Sequence, residues 1–258
     1  MRRLLIGDRK VRLRDEGESD KAPLVLLHGA GASSVVWIDV VRRLAGRRRV
    51  IAPDLPGHGQ SDPWHDVATQ HRLELYRDAV GTICAQLELK RVVLVGHSMG
   101  AAIALLSALA WPERVAGLVL VGGGARMRVA PTVIAALAAA PAEQAELVAA
   151  AAYSPSTAKE VVERWRAVLV QAPPELVIAD FQACDGFDVR PRLQEVKLPA
   201  LAITGSDDVL MPPKLGRELA AGLANGRAVI VPHTGHMPFH EQPDRFHQAL
   251  DPFLVEVP

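Results

Sequence analysis

The residues best suited to chemistry lie in Gly96-His97-Ser98-Met99-Gly100. Val92, Val93, Leu94 and Val95 precede them, a continuous apolar run that suits a strand buried on both faces. Ala102, Leu105, Leu106 and Leu109 follow at helical spacing. Ser98 therefore belongs at a sharp strand-to-helix turn. Such a turn forces its central residue into a strained backbone conformation, and glycines two before and two after remove the side chains that would clash. Free amides and the dipole at the helix N-terminus favour negative charge developing there. The spacing is that of a G-x-S-x-G nucleophile elbow. A serine hydroxyl is a poor nucleophile at neutral pH, so the chemistry also requires a base within reach and an acid to orient that base.

Among nine histidines, His236 is the best-placed base, because it sits beside Gly235 in a loop expected after the last strand. His233 is its local rival. His240 and His247 fall in the expected final helix and read as surface residues, while His65 and His71 lie in a polar stretch with no companion motif. For the acid, Asp207 and Asp208 are adjacent and a turn can aim one of them at the imidazole. Asp208, three after Gly205, is the choice, which leaves Asp207 to face solvent or build the turn. Asp54 reads as structural, bonded to the backbone of its own Gly-rich loop. The order Ser98, Asp208, His236 suits an α/β scaffold of this kind. A tetrahedral intermediate needs two preorganised N–H donors. Met99, directly after the nucleophile, supplies one. Ala30, between Gly29 and Gly31, supplies the other. His28 and His97 read as structural hydrogen-bonding or packing groups.

The elements that must position these groups alternate along the 258 residues. Leu4–Ile6 and Val11–Arg14 form an edge hairpin. Leu24–Leu27, Val50–Ala52, Val115–Val121, Ala200–Thr204 and Ala228–Val231 read as strands. Val36, Val40, Val41 and Leu44 stripe one helix. Leu73, Tyr76, Val80, Ile83 and Leu87 stripe a longer one capped by Thr69, and Phe246, Leu250, Phe253 and Leu254 stripe the last. Most strands are apolar on both faces, which calls for a mostly parallel sheet between helices, with ligands beyond the carboxyl ends of its strands. Residues 125–197 differ: Ala-rich helical segments alternate with Pro breaks, no strand is expected, and Thr157 with Glu160 fits a capping box. The expected division is a core of residues 1–124 and 198–258 with an inserted helical cap at 125–197.

Composition excludes several classes. Lys plus Arg equals Asp plus Glu, so the formal net charge is zero and nothing favours nucleic acid or an anionic membrane. Cys84 and Cys184 form no spacing motif and read as buried free thiols. The Met1–Ile6 start resembles a signal n-region, but Gly7-Asp8-Arg9-Lys10 ends the apolar run too early. A cytoplasmic location is the expectation, as a monomer or homodimer, with no metal cluster, dinucleotide fingerprint or P-loop.

Together, His28-Gly29-Ala30-Gly31, Asp54-Leu55-Pro56-Gly57-His58-Gly59-Gln60-Ser61, the elbow, Gly205-Ser206-Asp207-Asp208 and Gly235-His236 resemble the α/β-hydrolase superfamily. The resemblance spans essentially the whole chain and is weakest over the cap. It implies an eight-stranded, mostly parallel sheet and a cofactor-free Ser-His-Asp mechanism. It points to a carboxylesterase of small esters, and the Ala-, Val- and Leu-rich cap, whose inner face should be apolar, adds an expected preference for small, uncharged acyl groups. Relatives that cleave carbon–carbon bonds of ring-fission products, or methyl esters, lactones or thioesters, are the alternatives, as is a hydrolase-fold small-molecule receptor with little turnover. Ser98 at the elbow, where haloalkane dehalogenases and epoxide hydrolases carry aspartate, excludes those two. Trp165, Phe181 and Phe187 are candidates to line a substrate pocket. Arg126, Arg128, Arg164 and Arg166 are the cap cations available to grip a dienoate carboxylate.

Overall fold

In the computed structural model, residues 2–64, 72–169 and 172–257 are described. Thr69, His65 and His71 lie outside these residues, so the expected Thr69 cap and the two polar-stretch histidines fall outside the description.

An antiparallel hairpin of β1 (Arg2–Ile6) and β2 (Arg9–Glu16) opens the chain. The buried strand β3 (Leu24–Leu27) leads through a 3-10 turn into α1 (Ile38–Leu44), and β4 (Val50–Pro53) precedes α2 (Leu73–Gln86). The strand β5 (Val92–His97) runs directly into α3 (Met99–Ala110), and β6 (Val115–Val121) follows. Four helices then come before any further strand: α4 (Pro131–Ala139), α5 (Pro141–Ala151), α6 (Lys159–Leu169) and α7 (Pro174–Asp185). The chain closes with β7 (Pro199–Gly205), α8 (Pro213–Gly222), β8 (Asn225–Val231), the short α9 (Pro238–Glu241) and α10 (Pro243–Glu256).

The eight strands form one sheet in the order β1-β2-β4-β3-β5-β6-β7-β8. β2 pairs antiparallel with β1 and β4, and the other pairings are parallel. Sequence distance does not predict this order: β3 sits between β4 and β5, so the loops after β3 and β5 emerge side by side. The central strands carry no polar face because both sides of the sheet are covered. One cluster packs Leu27, Ile51, Leu94 and Leu120 against α2 and α3, and a second packs Val93, Val95, Val119 and Ile203 against α1 and α10. Residues 99–108 of α3 are buried all round, since the helix lies between β5 and β6 on one side and α2 and α7 on the other. The apolar stripes of α1, α2 and α10 face the core as their periodicity predicts.

Three local expectations are corrected. Thr157 does not cap a helix: α6 starts at Lys159, and the Thr157 hydroxyl donates to Glu241, a charged acceptor. His240 and His247 are buried, not surface groups. His240 donates to the Val36 carbonyl at 2.8 Å, accepts from the Tyr153 hydroxyl at 3.2 Å and stacks on Trp165 at 3.9 Å.

Candidate active site

Ser98 occupies the junction of β5 and α3 with φ 53° and ψ −117°, a left-handed backbone for a non-glycine residue. Such a conformation costs roughly 1–3 kcal/mol and persists where its surroundings impose it. Here they do. A Cβ on Gly96 would stand 2.1 Å from the Gly100 carbonyl oxygen, and one on Gly100 would stand 2.2 Å from that of Leu27. The Ser98 amide donates to the Val121 carbonyl at 2.8 Å, which fixes the turn against the end of β6.

His236 and Asp208 come together from the loops after β8 and β7. Asp208 is buried, and its Oδ2 lies 2.7 Å from His236 Nδ1. Its Oδ1 accepts the Leu210 and Met211 amides at 3.0 and 2.8 Å, so both oxygens are held. The Asp208–His236 contact directs the Nδ1 proton at the carboxylate and leaves Nε2 to serve as a base. The imidazole rests on Gly122, where a Cβ would stand 2.8 Å from its Cε1. Gly122 directly follows the carbonyl that receives the Ser98 amide, so the ring lies beside the elbow. His233, the rival base, has a left-handed backbone and donates its amide to Ser206 Oγ at 2.9 Å, and it does not line the cavity around Ser98. Asp207 is partly buried and accepts from Ser206 Oγ and Ser154 Oγ at 2.7 and 2.6 Å.

Histidines flanking the elbow are structural. His97 is fully enclosed and donates from Nε2 to the His236 carbonyl at 2.9 Å. Burial holds its pKa well below the ordinary imidazole range, with the adjacent His236 ring adding to the effect. His28 accepts the Leu55 amide at Nε2 and donates from Nδ1 to the Gly29 carbonyl, at 3.0 and 2.9 Å. Burial, then the charge of His58, lowers its pKa to about 4. Asp54 ties two loops, accepting the Gln60 amide of its own loop at 3.0 Å and the Ser34 amide at 2.8 Å.

The loop after β3 turns tightly, with the Ala32 amide bonded to the Gly29 carbonyl at 3.2 Å and Gly31 at φ +65°. The Ala30 amide has no acceptor among the described residues. Met99 begins α3, so its amide has no partner within the helix.

Ser98, His236 and Ala30 border a cavity of about 400 Å³. Its wall is largely apolar, built by Val129, Val133, Val148, Val177, Phe181 and Met237 among others. Of the three aromatic candidates, Phe181 lines it. Trp165 stacks on His240 and Phe187 packs in the core with Leu193, so both are placed away from it. Of the four cap arginines, Arg128 lines the cavity and lies 3.8 Å from Asp185. Arg126, Arg164 and Arg166 pair with Asp188, Asp39 and Glu146. One residue not legible from its sequence context also contributes. Glu241 accepts the Gly235 and Met237 amides on either side of His236, at 2.9 and 3.1 Å. It also accepts the Ser154 amide at 2.8 Å from the loop after α5.

A strand-borne nucleophile elbow, an imidazole held by a carboxylate and a sheet of this order define the class. The family model for the alpha/beta hydrolase family matches residues 24–249, and the chain belongs to that family. It is 32% identical to a 2-hydroxy-6-oxononadienedioate/2-hydroxy-6-oxononatrienedioate hydrolase of Paraburkholderia phymatum, over 95% of this chain and 91% of that protein. Its structure resembles a thermophilic esterase from Thermogutta terrifontis with a TM-score of 0.88 and 27% identity, covering 99% of both chains. The enol-lactonase from Burkholderia xenovorans shares the fold, with a TM-score of 0.88 at 24% identity over 98% of this chain and 100% of that one. Among the described residues, no helix is long and apolar enough to cross a membrane.

Proposed function

We propose that this protein is a serine carboxylesterase of small, uncharged acyl esters, with residues 125–197 acting as a cap over the core. The observation that carries the reading is the cavity. It joins Ser98 and His236 to a wall whose one Lys or Arg, among the described residues, is Arg128. His236 takes the proton of Ser98 as its oxygen attacks the ester carbonyl. The amides of Ala30 and Met99 receive the oxyanion. His236 then gives the proton to the departing alcohol, leaving an acyl-enzyme. Water, deprotonated by the same imidazole, attacks the acyl carbon, and the carboxylic acid leaves as Ser98 regains its proton. Asp208 holds the tautomer and stabilises the imidazolium.

The Paraburkholderia relative supports a second reading, cleavage of a carbon–carbon bond in a dienoate. Its named substrate is a dianion, whereas this cavity offers one cation, already near Asp185. The ester reading is therefore preferred. The test is turnover of p-nitrophenyl acetate and butyrate beside a 2-hydroxy-6-oxo-dienoate, with Ser98→Ala as control. The expected result is sustained ester turnover that Ser98→Ala reduces by about a million-fold, as loss of a triad serine does. Faster turnover of the dienoate, or a single acylation burst without release, would replace the esterase assignment.

A further inference from the structure

We infer that Asp180, on the helical insertion, is a positioning residue for the loop that carries the Ala30 amide. The inference rests on the ester-hydrolase reading for what that amide does, and on geometry alone for how the amide is held.

Asp180 lies in α7 and is wholly enclosed. Three donors from three other parts of the chain converge on its carboxylate. The Gly31 amide reaches Oδ2 at 2.8 Å from the loop after β3. His58 Nε2 reaches the same oxygen at 2.8 Å from the loop after β4. The Tyr76 hydroxyl reaches Oδ1 at 2.7 Å from α2. His58 Nδ1 lies 3.1 Å from the Pro56 carbonyl, so both of its ring nitrogens face acceptors. An imidazole can satisfy two acceptors when both nitrogens carry protons. His58 is therefore an imidazolium and Asp180 a carboxylate. Burial opposes both charges, and their mutual attraction and hydrogen bond prevail: His58 is raised and Asp180 lowered from their ordinary values. Neighbouring His28 differs, because one of its nitrogens faces an N–H donor and it stays neutral.

An ion pair with no solvent exposure is an expensive way to hold a helix down, and apolar side chains of similar volume serve stability as well or better. Its placement suggests a different role. The Gly31 amide belongs to the peptide unit that leaves Ala30, so anchoring it fixes the carboxyl side of Ala30. The Ala32-to-Gly29 bond closes the same turn from the other end. A Cβ on Gly31 would stand 3.0 Å from Val177 Cγ2, also on α7, so the loop and the helix are in close register. The direction of the Ala30 amide is thus set by α7 through Asp180. The insertion does more than cover the cavity: it completes the anion-binding turn.

The test compares wild type, Asp180→Ala and Asp180→Asn as full chains. Hydrogen–deuterium exchange of the 28–34 segment needs no substrate. Exchange there should accelerate at least ten-fold in Asp180→Ala, with the 243–256 segment unchanged. With p-nitrophenyl butyrate, kcat should fall by about ten- to a hundred-fold with KM within about three-fold, because a misplaced oxyanion donor weakens the transition state more than the ground state. Asp180→Asn keeps an acceptor for Gly31 and should recover part of kcat. It also carries the test if Asp180→Ala does not fold. Unchanged exchange at 28–34, or a kcat equal to wild type in a folded Asp180→Ala, would overturn the inference. Uniformly faster exchange in all helices would do so too, since it would mark a merely structural role. A wild type that does not hydrolyse the ester would defeat the esterase reading instead, and the exchange comparison would still decide whether Asp180 holds the loop.

Discussion

At the scale of single residues, protonation is the property most sensitive to burial. His28, His97 and His240 are enclosed, and burial is the leading cause of each lowered pKa, to about 4 for His28 and about 3 for His240. Unfolded, each would titrate near 6.5. Below that pH the unfolded chain binds more protons than the folded one, so stability falls as the solution is acidified from 6.5 toward the folded values. Each such group contributes a slope of about 1.4 kcal/mol per pH unit within its window. His58 acts in the opposite sense: its raised pKa stabilises the fold fully below 6.5, and that contribution fades as pH rises through the folded value. Urea denaturation at pH 7, 6 and 5 should therefore show declining stability. His240→Phe, which keeps a ring against Trp165, should flatten the decline by close to one proton. A variant with the wild-type slope would show that His240 is charged in the fold. None of this was legible in the sequence. The partners of His240 are Val36, Tyr153 and Trp165, each more than sixty positions away, and a histidine in a terminal helix carries no sign of which distant side chains will enclose it. Ser98 and its flanking glycines were legible because a sharp turn restricts residue type locally, without reference to the rest of the fold.

Elements and the turns between them convert that local strain into geometry. Gly122 directly follows β6 at φ +55°, and an added Cβ would stand 2.8 and 2.9 Å from two atoms of the His236 ring. Gly7 has a similar φ of +62° in the β1–β2 turn, with nothing within 4 Å of the corresponding position. The pair separates two effects. Gly7→Ala should cost about 1–2 kcal/mol in stability from backbone strain alone and leave ester turnover unchanged. Gly122→Ala should carry that cost and also displace the imidazole, lowering kcat by about a hundred-fold. Equal turnover in the two variants would mean that the ring tolerates the displacement. The strands, the helical stripes and the strand-free stretch before β7 were readable from periodicity. Their lateral order was not, because β3 lies between β4 and β5 and chain order alone does not place it there. The capping box at Thr157 also failed for a non-local reason. The pattern was present, yet the Glu241 carboxylate, 84 positions along the chain, captured the hydroxyl.

Across the whole molecule, the helices between β6 and β7 are fastened on both flanks of the cavity. On one flank the Ala152 carbonyl accepts the His236 amide at 2.7 Å, Ser154 bonds both Asp207 and Glu241, and Thr157 bonds Glu241. On the other, Asp180 holds the Gly31 amide. Leu147, Val209 and Leu210 line the cavity and also face solvent, as does Arg128. Leu147→Asp should raise KM for p-nitrophenyl butyrate several-fold with kcat within two-fold, measured by initial rates, and an unchanged KM would place the entrance elsewhere. On the small-acyl reading, an acyl series from acetate upward should favour short chains. Rising efficiency through dodecanoate would refute that preference. The double fastening also bears on modularity. Helices 125–197 transplanted from a cousin would arrive without a matched carbonyl at 152, amide at 154 or carboxylate at 180, so a chimera would inherit a loosened histidine loop and a slack β3 turn together. On the proposed reading, swapping these helices among relatives exchanges part of the reaction centre along with its cover, and donors should be chosen for those three contacts before their overall likeness.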